Sequence, residues 1–250
     1  MRVLAIGDVD EESADLAGLS EVVDNAGADA VVFTGNLLKA EARRAELEAA
    51  CGEDRCPDWE ADAVTEEREN DAESANRFFQ ALGDLDVPVY LVPGENDAPE
   101  RFILQVGLNS EVVGANVNLV HRSFAPLGQN LVVSGVGGRI TTNERLTCFL
   151  LRYPGWEAQF SLDFLRHFEQ EKILLFHTPI DIEEEAGGHE AVRHIIKTYS
   201  PKIAVCGRRD GKHGKDTVGR TLVVYPGMLK TGDYAFIDTR EKTVEFGDIR

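Results

Sequence analysis

The sequence predicts a mixed α/β fold in which two packed β-sheets are flanked by helices. Short apolar runs of strand length alternate with helical stretches in the first half of the chain and again over residues 173–206. The C-terminal part instead contains three strand-like runs with Gly and Asp between them and no helix. Such a combination of βα units and antiparallel additions is typical of layered α/β domains. Because the chain has no internal repeat and no clean boundary, we expect one domain over residues 1–250.

The strands are predicted from short, mainly apolar runs, which indicate strands buried on both faces. These runs cover residues 3–6, 30–34, 87–92, 118–121, 131–134, 173–176, 203–206, 221–225, 234–238 and 243–246. The last three have the spacing of hairpins. A turn is predicted at residues 125–128, because Pro126 and Gly128 are residue types that are common in turns.

Helices are predicted from amphipathic spacing and composition at residues 12–26, 37–49, 73–82, 99–106, 160–170 and 189–198. Gly27 stands where a glycine commonly ends a helix, and Pro99 stands where proline commonly opens one. The acidic segment 40–72 is predicted to be an insertion or a mobile segment within the domain, with residues 52–71 as a polar loop.

The composition excludes several classes of function. The chain has 26 basic and 44 acidic residues, a net charge of −18. We therefore expect no non-specific binding to nucleic acid and no adhesion to anionic lipid, since both require a basic surface. The longest apolar runs are too short to span a bilayer, and no signal peptide opens the chain, so we expect a cytoplasmic protein. The four cysteines show no zinc-finger spacing and are expected to be free thiols.

Small residues next to polar ones follow five of the predicted strands. In α/β sheets, ligands gather at the carboxyl ends of the strands, so these segments are candidates for one site. In chain order they are Gly7-Asp8-Val9-Asp10, Gly35-Asn36, Pro93-Gly94-Glu95-Asn96-Asp97, His177-Thr178-Pro179 and Gly207-Arg208-Arg209-Asp210.

The order of these five segments resembles that of the calcineurin-like metallophosphoesterases. That family carries Asp-x-His, Gly-Asp, Gly-Asn-His-Asp, a His before a small residue or Pro, and Gly-His-x-His at strand ends. The spacing here is compatible over almost the whole chain, and Tyr225-Pro226-Gly227 also follows a late strand. The resemblance is closest to a divergent bacterial subfamily with eroded metal motifs. It implies a four-layer α/β/β/α fold with two mixed sheets.

The first three segments depart from the family pattern at most of its chemical positions. Asp8 keeps the family residue type, but Asp10 stands where the family has a His. Asn36 stands where the resemblance implies the Asp that bridges two metal ions. Glu95 replaces the metal-binding Asn, and Asn96 replaces the His usually assigned as the general acid.

The later segments are a mixture of retained and altered residues. Asp97 and His177 keep the family types. Arg208 stands where a metal-binding His belongs. Asp210 stands at the second His of the last motif, although His213 takes that place if the loop holds an extra residue. The resemblance implies metal-ligand roles for Asp8, Asp10, Asn36, Glu95, His177, Asp210 and His213, and catalytic roles for Asn96, Asp97 and Arg208.

The altered residues predict one metal ion at most. Two cations about 3.5–4 Å apart need a bridging anion, and Asn36 is neutral. Arg208 is always protonated and cannot be a ligand, and Glu95 opposite it offers an ion pair instead. The oxygen donors that remain favour Mg²⁺, Mn²⁺ or Ca²⁺. We therefore expect one divalent cation rather than a full dinuclear site.

Structural roles compete with these assignments. Asp8, Asn36 and Asp97 are each placed to cap a following helix. His177 follows a buried strand, so the alternative interpretation is a buried core histidine with no role in a site. For Arg208 and its neighbour Arg209, the alternative interpretation is a pair of solvent-exposed side chains that bind nothing.

Three hypotheses about function follow. The first is a metal-dependent phosphoester hydrolase of weak or altered activity, with Arg208 stabilising the transferring phosphoryl group. The second is an inactive protein that binds a phosphorylated small molecule or nucleotide, favoured by Asn96 in place of the acid. The third is a protein-interaction scaffold of the same fold. A homo-oligomer is compatible with all three.

Overall fold

The structure is a computed structural model that describes residues 1–11, 14–142, 145–180, 188–207 and 211–250. Predicted positions 12–13 of the first helix, and the predicted site residues Arg208 and Asp210, lie outside these ranges. Everything below concerns the described residues.

The first sheet has six strands and a parallel centre. Its strands are β1 (Arg2–Ile6), β2 (Ala30–Phe33), β3 (Val89–Leu91), β4 (Val117–Leu119), β13 (Asp233–Asp238) and β14 (Thr243–Asp248). They lie in the order β14-β13-β1-β2-β3-β4. β1 to β4 run parallel, whereas β13 is antiparallel to both β1 and β14.

The second sheet also has six strands, with an antiparallel strand at each edge. Its strands are β5 (Phe124–Leu127), β6 (Leu131–Val136), β9 (Glu171–Phe176), β10 (Ile203–Cys206), β11 (Gly214–Val218) and β12 (Thr221–Tyr225), in the order β11-β12-β10-β9-β6-β5. The four central strands are parallel and the two edge strands are antiparallel. A third, two-stranded sheet pairs β7 (Arg139–Thr141) with β8 (Arg152–Pro154).

Helices cover the outer faces of the two large sheets. The helices are α1 (Ala14–Ala26), α2 (Glu41–Gly52), α3 (Asp62–Gly83), α4 (Glu100–Val113), α5 (Gly155–Ser161) and α6 (Gly188–Tyr199), with short 3₁₀ helices at Asp163–His167 and Leu229–Thr231. Buried residues of α1, α3 and α4 pack on the first sheet, and those of α5 and α6 pack on the second. A third apolar cluster, with residues of both sheets, fills the space between them. The predicted mixed α/β fold with four layers is confirmed.

Several predicted elements need correction. Residues 124–127 form β5 rather than a turn, because Pro126 lies in an edge strand where a missing N–H costs no ladder bond. β12 does not form a hairpin with β13, since the two strands belong to different sheets. Instead β12 pairs with β11, which was not predicted, and β7 and β8 were missed because each has only three residues.

The acidic segment 40–72 contains two helices. α2 begins at Glu41 rather than at residue 37, and the predicted loop 52–71 is helical from Asp62 onwards because α3 buries an apolar stripe that includes Val64. That this segment is an insertion relative to the family stays a prediction. Predicted helix 160–170 is replaced by α5 and a 3₁₀ helix.

None of the described helices has the length and apolar character required to cross a bilayer. All four cysteines are free thiols; Cys206 is buried in β10 and the other three are exposed.

Candidate active site

The loops that follow β1, β2 and β3 pack directly against one another. A Cβ atom on Gly35 would lie 2.2 Å from the backbone nitrogen of Asp8, and one on Gly94 would lie 2.2 Å from Asn36 Oδ1. No side chain fits into such gaps, so glycine allows these backbones to touch. The close approach brings Asp8, Asn36 and the loop at residues 93–97 to one edge of the first sheet.

A series of hydrogen bonds connects these loops. Asp8 Oδ1 accepts from the Asn36 backbone N–H at 2.7 Å. Asn36 Oδ1 accepts in turn from the Asn96 backbone N–H at 2.9 Å. Asn36 is thus not used as the helix cap that competed as an explanation, because α2 begins five residues after it, with Ala40 at its N-cap and no side-chain cap bond.

Asp97 organises the backbone of this edge. Its carboxylate accepts three backbone N–H groups, from Leu37 and Leu38 at 2.9 Å each and from Gly94 at 2.7 Å, and it is fully buried. Burial raises the pKa of Asp97 to about 7 against the opposing effect of these donors. Asp97 does not cap α4, whose N-cap is Pro99 without a side-chain bond. Its contacts hold two loops together.

Asp10 is paired with an ammonium group. Lys230, in the 3₁₀ helix at Leu229–Thr231, donates from Nζ to Asp10 Oδ2, and its backbone N–H donates to Asp8 O at 3.1 Å. The other oxygen, Oδ1, is buried and makes no hydrogen bond with any described residue. Burial raises the pKa of Asp10, and the negative charge of Asp8 adds to this, although Lys230 opposes it. Lys230 is thus the counter-ion of Asp10, and only the oxygen Oδ1 is left without a donor among the described residues.

His177 follows β9 and reaches the first sheet. Its Nδ1 lies 3.0 Å from the backbone oxygen of Thr34 and 3.9 Å from Asp8 Oδ1. A carbonyl oxygen only accepts, so Nδ1 carries a proton in this contact, which in the neutral ring is the tautomer with the lone pair on Nε2. A backbone hydrogen bond of this type is how metal-binding histidines are usually oriented.

Glu95 is surrounded by guanidinium groups. Arg152 Nε donates to Oε1 at 2.7 Å, and Arg44 Nη2 donates to Oε2 at 3.0 Å. Arg139 Nη1 lies 4.0 Å from Oε2. Burial favours the neutral acid, but Arg44 and Arg152 outweigh it and lower the pKa of Glu95. The predicted partner of Glu95, Arg208, lies outside the described residues. The ion pairs that the structure does show for Glu95 are with Arg44 and Arg152.

The Asn96 side chain is also occupied. Its Oδ1 accepts from Arg44 Nε at 3.1 Å, and its Nδ2 donates to the backbone oxygen of Lys39 at 2.9 Å. Behind it, the fully buried Arg43 donates to the Asn96 backbone oxygen at 3.1 Å and to Asp71. An amide held in this way has no acidic proton to give to a leaving group.

The structure places His213 just before β11. Its ring stacks on Phe246 with centroids 4.6 Å apart, and its Nδ1 lies 3.4 Å from Asp233 Oδ1. These contacts give it a structural role. Arg208 and Asp210 lie outside the described residues, so the structure does not decide between Asp210 and His213 as the last ligand.

Arg208 was predicted from the sequence, but four other basic residues were missed. Lys230, Arg44, Arg139 and Arg152 come from elements remote in sequence from their acidic partners. Only Lys230 had a signal, because it follows the Tyr225-Pro226-Gly227 segment that resembles the family.

The acidic residues of the site differ in how they are paired. One side of the site contains Asp8, Asp10 and His177. The Asp10 Oδ1 atom accepts no hydrogen bond from any described residue and is therefore available to a cation. On the other side, Glu95 is already neutralised by guanidinium groups, so it is a poor ligand for a second ion. Among the described residues, no three His, Cys, Asp or Glu side chains are grouped so as to hold a metal ion by themselves.

Comparison with known proteins gives the family. A model described as metallophosphoesterase, calcineurin superfamily, matches residues 1–249. The chain therefore belongs to this family, as the motif order implied. No curated protein gives a significant match.

Solved structures agree with the family. One crystal structure is 31% identical with a TM-score of 0.91, covering 100% of this chain and 99% of that chain. TT1561 of Thermus thermophilus is 27% identical with a TM-score of 0.82 and the same coverage, 100% and 99%. A dimetal phosphatase from Danio rerio is 13% identical with a TM-score of 0.60, covering 94% of this chain and 92% of that chain, and this similarity shows the fold alone.

Proposed function

We propose that this chain is a phosphoester hydrolase that works with one divalent cation, Mg²⁺, Mn²⁺ or Ca²⁺. Asp8, Asp10, Asn36 and His177 would hold the cation, with Asp210 or His213 as the last ligand. When bound, such a cation polarises a phosphoryl oxygen and makes water a stronger nucleophile at neutral pH. The substrate would be a phosphorylated small molecule or nucleotide.

The observation that carries this proposal is the asymmetry of the acidic groups. Asp10 Oδ1 is buried without a hydrogen-bond partner among the described residues, whereas Glu95 is bonded to two arginines. Lys230 bonds only the other oxygen of Asp10, Oδ2, and a buried carboxylate oxygen without a donor favours a bound cation because an unsatisfied buried polar atom is costly. A carboxylate already bonded to two guanidinium groups does not need one.

The roles of the other residues follow from their contacts. Asp97 is a positioning residue, since its carboxylate fixes the backbone of both loops. Arg208 is proposed to neutralise the phosphoryl group. Asn96 replaces an acid but donates its amide hydrogen to Lys39 O, so the leaving group must depart without a proton from this residue. General acid catalysis usually contributes about 10²–10⁴-fold, and we expect that contribution to be missing.

This gives a specific expectation for turnover. Aryl phosphodiesters, whose phenolate leaves without protonation, should be hydrolysed with Mn²⁺, whereas alkyl esters should react about 10²-fold or more slowly. The measurement is the rate across a series of esters with increasing leaving-group pKa. Asp8→Ala and His177→Ala should abolish turnover, and Glu245→Gln, an exposed strand residue, should not. Equal rates for aryl and alkyl esters would contradict the role given to Asn96.

A second candidate is a protein that binds the phosphorylated molecule without turnover. The Lys230–Asp10 and Arg44–Glu95 pairs favour it, because protein cations take up charge that metals would otherwise balance. Thermal stabilisation by a nucleotide, with no hydrolysis under any of the three metals, would support this candidate over the first.

A further inference from the structure

A cavity of about 640 Å³ lies between helices α3 and α4 and is here called the helix cavity. Small-molecule sites have volumes of about 300–1,000 Å³, so its size is sufficient for a ligand. α3 contributes wall residues between positions 65 and 72, and α4 contributes wall residues between positions 101 and 105. None of the predicted site residues that the structure describes lines it. The helix cavity is therefore distinct from the candidate active site.

The charged side chains of the helix cavity are of both signs. Two are basic, Arg68 and Arg101, and two are acidic, Glu69 and Asp71. Arg101 and Glu69 are exposed and form no ion pair with another described residue. A ligand that carries an anionic and a cationic group matches such a wall better than a ligand with a single charge.

Asp71 offers an acceptor to the cationic group of such a ligand. It is 3% exposed, and its Oδ2 accepts from the fully buried Arg43. Arg43 is held in place by a second bond, from Nη2 to the Asn96 backbone oxygen at 3.1 Å. The other oxygen of Asp71, Oδ1, accepts no hydrogen bond from any described residue. Because a buried oxygen without a donor is costly, an ammonium group beside Asp71 would be stabilised.

The N-terminus of α4 offers donors to the anionic group. α4 has 14 residues, and its N-cap, Pro99, makes no side-chain cap bond. The backbone N–H of Glu100 donates to Thr147 O, but no described residue accepts from the backbone N–H of Arg101. The first turn of a helix favours an anion, and a guanidinium group matches the two oxygens of a carboxylate. Arg101 thus supplies both kinds of donor.

An aromatic cavity of about 510 Å³ adjoins the helix cavity and shares Pro99 and Arg101 with it. Trp59 and Phe149 line it, with their rings edge to face and their centroids 4.5 Å apart. Arg68 of the helix cavity stacks on Trp59, with its guanidinium carbon 4.7 Å from the ring centroid. Aromatic rings favour further edge-to-face and offset contacts, so this cavity suits an aromatic group.

We propose that the two cavities together bind a free aromatic amino acid. Its ammonium group donates to Asp71 Oδ1, and its carboxylate binds Arg101 at the N-terminus of α4. Its ring packs against Trp59 and Phe149. This site is additional to the proposed hydrolysis and does not rest on it.

The test is calorimetric titration of the full chain with L-phenylalanine, phenethylamine and 3-phenylpropanoate at neutral pH. Each of the last two keeps the ring but lacks one charged group, so L-phenylalanine should bind more tightly than either. Arg101→Gln should weaken L-phenylalanine about tenfold, as expected for one charged hydrogen bond, and should leave phenethylamine unchanged. Ala72→Leu, which adds bulk to the wall of the helix cavity, should remove L-phenylalanine binding.

The matched control is Arg77→Gln. Arg77 is an exposed arginine of α3 that lines neither cavity, so this variant should bind L-phenylalanine as wild type does.

Each other outcome overturns the proposal. Absence of saturable L-phenylalanine binding would exclude the site. Equal affinity for one of the analogues would show that the charged group it lacks has no partner in the cavity. Unchanged affinity in Arg101→Gln would place the ligand elsewhere on the chain. Because Arg101 is exposed, its substitution keeps the test decisive even where Ala72→Leu does not fold.

Discussion

Several acidic residues at or near this site form ion pairs with basic side chains. Lys230 pairs with Asp10, Arg44 and Arg152 pair with Glu95, and Arg43 pairs with Asp71. Asp10 and Glu95 were predicted from strand ends, whereas Asp71, which lies in α3, was not. The partners of Asp10 and Glu95 were not predicted, because Arg44 and Glu95 are 51 residues apart and Lys230 and Asp10 are 220 apart. Nothing local in a sequence specifies contacts over such separations.

Arg43 gives a prediction about stability. Its side chain is fully buried, so Arg43→Met leaves Asp71, which is 3% exposed, without its cation. Removing one partner of a buried pair costs about 3–5 kcal/mol, and we expect a loss of that size in the free energy of unfolding measured with urea. The double variant Arg43→Met with Asp71→Leu should recover part of the loss. A single variant within about 0.5 kcal/mol of wild type would contradict this account.

Glu100 gives a prediction about pH. His121, 3.8 Å away, together with Tyr153 and Arg122, holds the pKa of Glu100 at about 2 instead of 4.5. A carboxyl group with a lowered pKa in the folded state stabilises the fold above pH 4.5, and this stabilisation is lost as the pH falls towards 2. Glu100→Gln should therefore lower the free energy of unfolding at pH 7 and have a smaller effect near pH 2.5.

The control for this experiment is Glu245→Gln, at an exposed position of β14. Its effect on the free energy of unfolding should be small at both pH values. A difference between Glu100→Gln and wild type that grows as the pH falls would contradict the assignment.

At the level of elements, strands were easier to predict than their pairing. Continuous apolar runs indicated the parallel strands correctly, because strands buried on both faces leave that pattern. The edge strand β5 was missed because proline, here Pro126, is common in turns. β12 was assigned to a hairpin from its spacing along the chain, but that spacing does not indicate which sheet a strand joins. The strand-end segments that form the site were therefore predictable, whereas the small β7–β8 sheet that supplies two arginines was not.

The packing of strand-end loops gives a prediction at this scale. In Gly94→Ala the new Cβ would lie 2.2 Å from Asn36 Oδ1 and 2.6 Å from its Cα and backbone N, so the loops must separate. We expect a loss of about 1–3 kcal/mol in the free energy of unfolding, as for other overpacked positions, together with weaker metal binding. Gly83→Ala, at the end of α3 with nothing within 4 Å of the new Cβ, should be neutral or stabilising. Equal effects of the two substitutions would refute the close contact.

At the scale of the whole molecule, two similar sheets bring their parallel strand ends to one region. The first sheet contributes Asp8, Asn36 and the loop at residues 93–97, and the second contributes His177 through its contact with Thr34. The chain thus has the fold of its family, and hydrogen bonds connect its strand-end loops. Protein cations lie beside two of its carboxylates, Lys230 beside Asp10 and Arg44 beside Glu95.

The most direct test of this account is the number of divalent ions that the full chain binds, measured by titration with Mn²⁺ and by elemental analysis of protein purified without chelators. The account predicts no more than one ion per chain, lost in Asp8→Ala and retained in Glu95→Gln. Two tightly bound ions per chain, with one of them lost in Glu95→Gln, would contradict it.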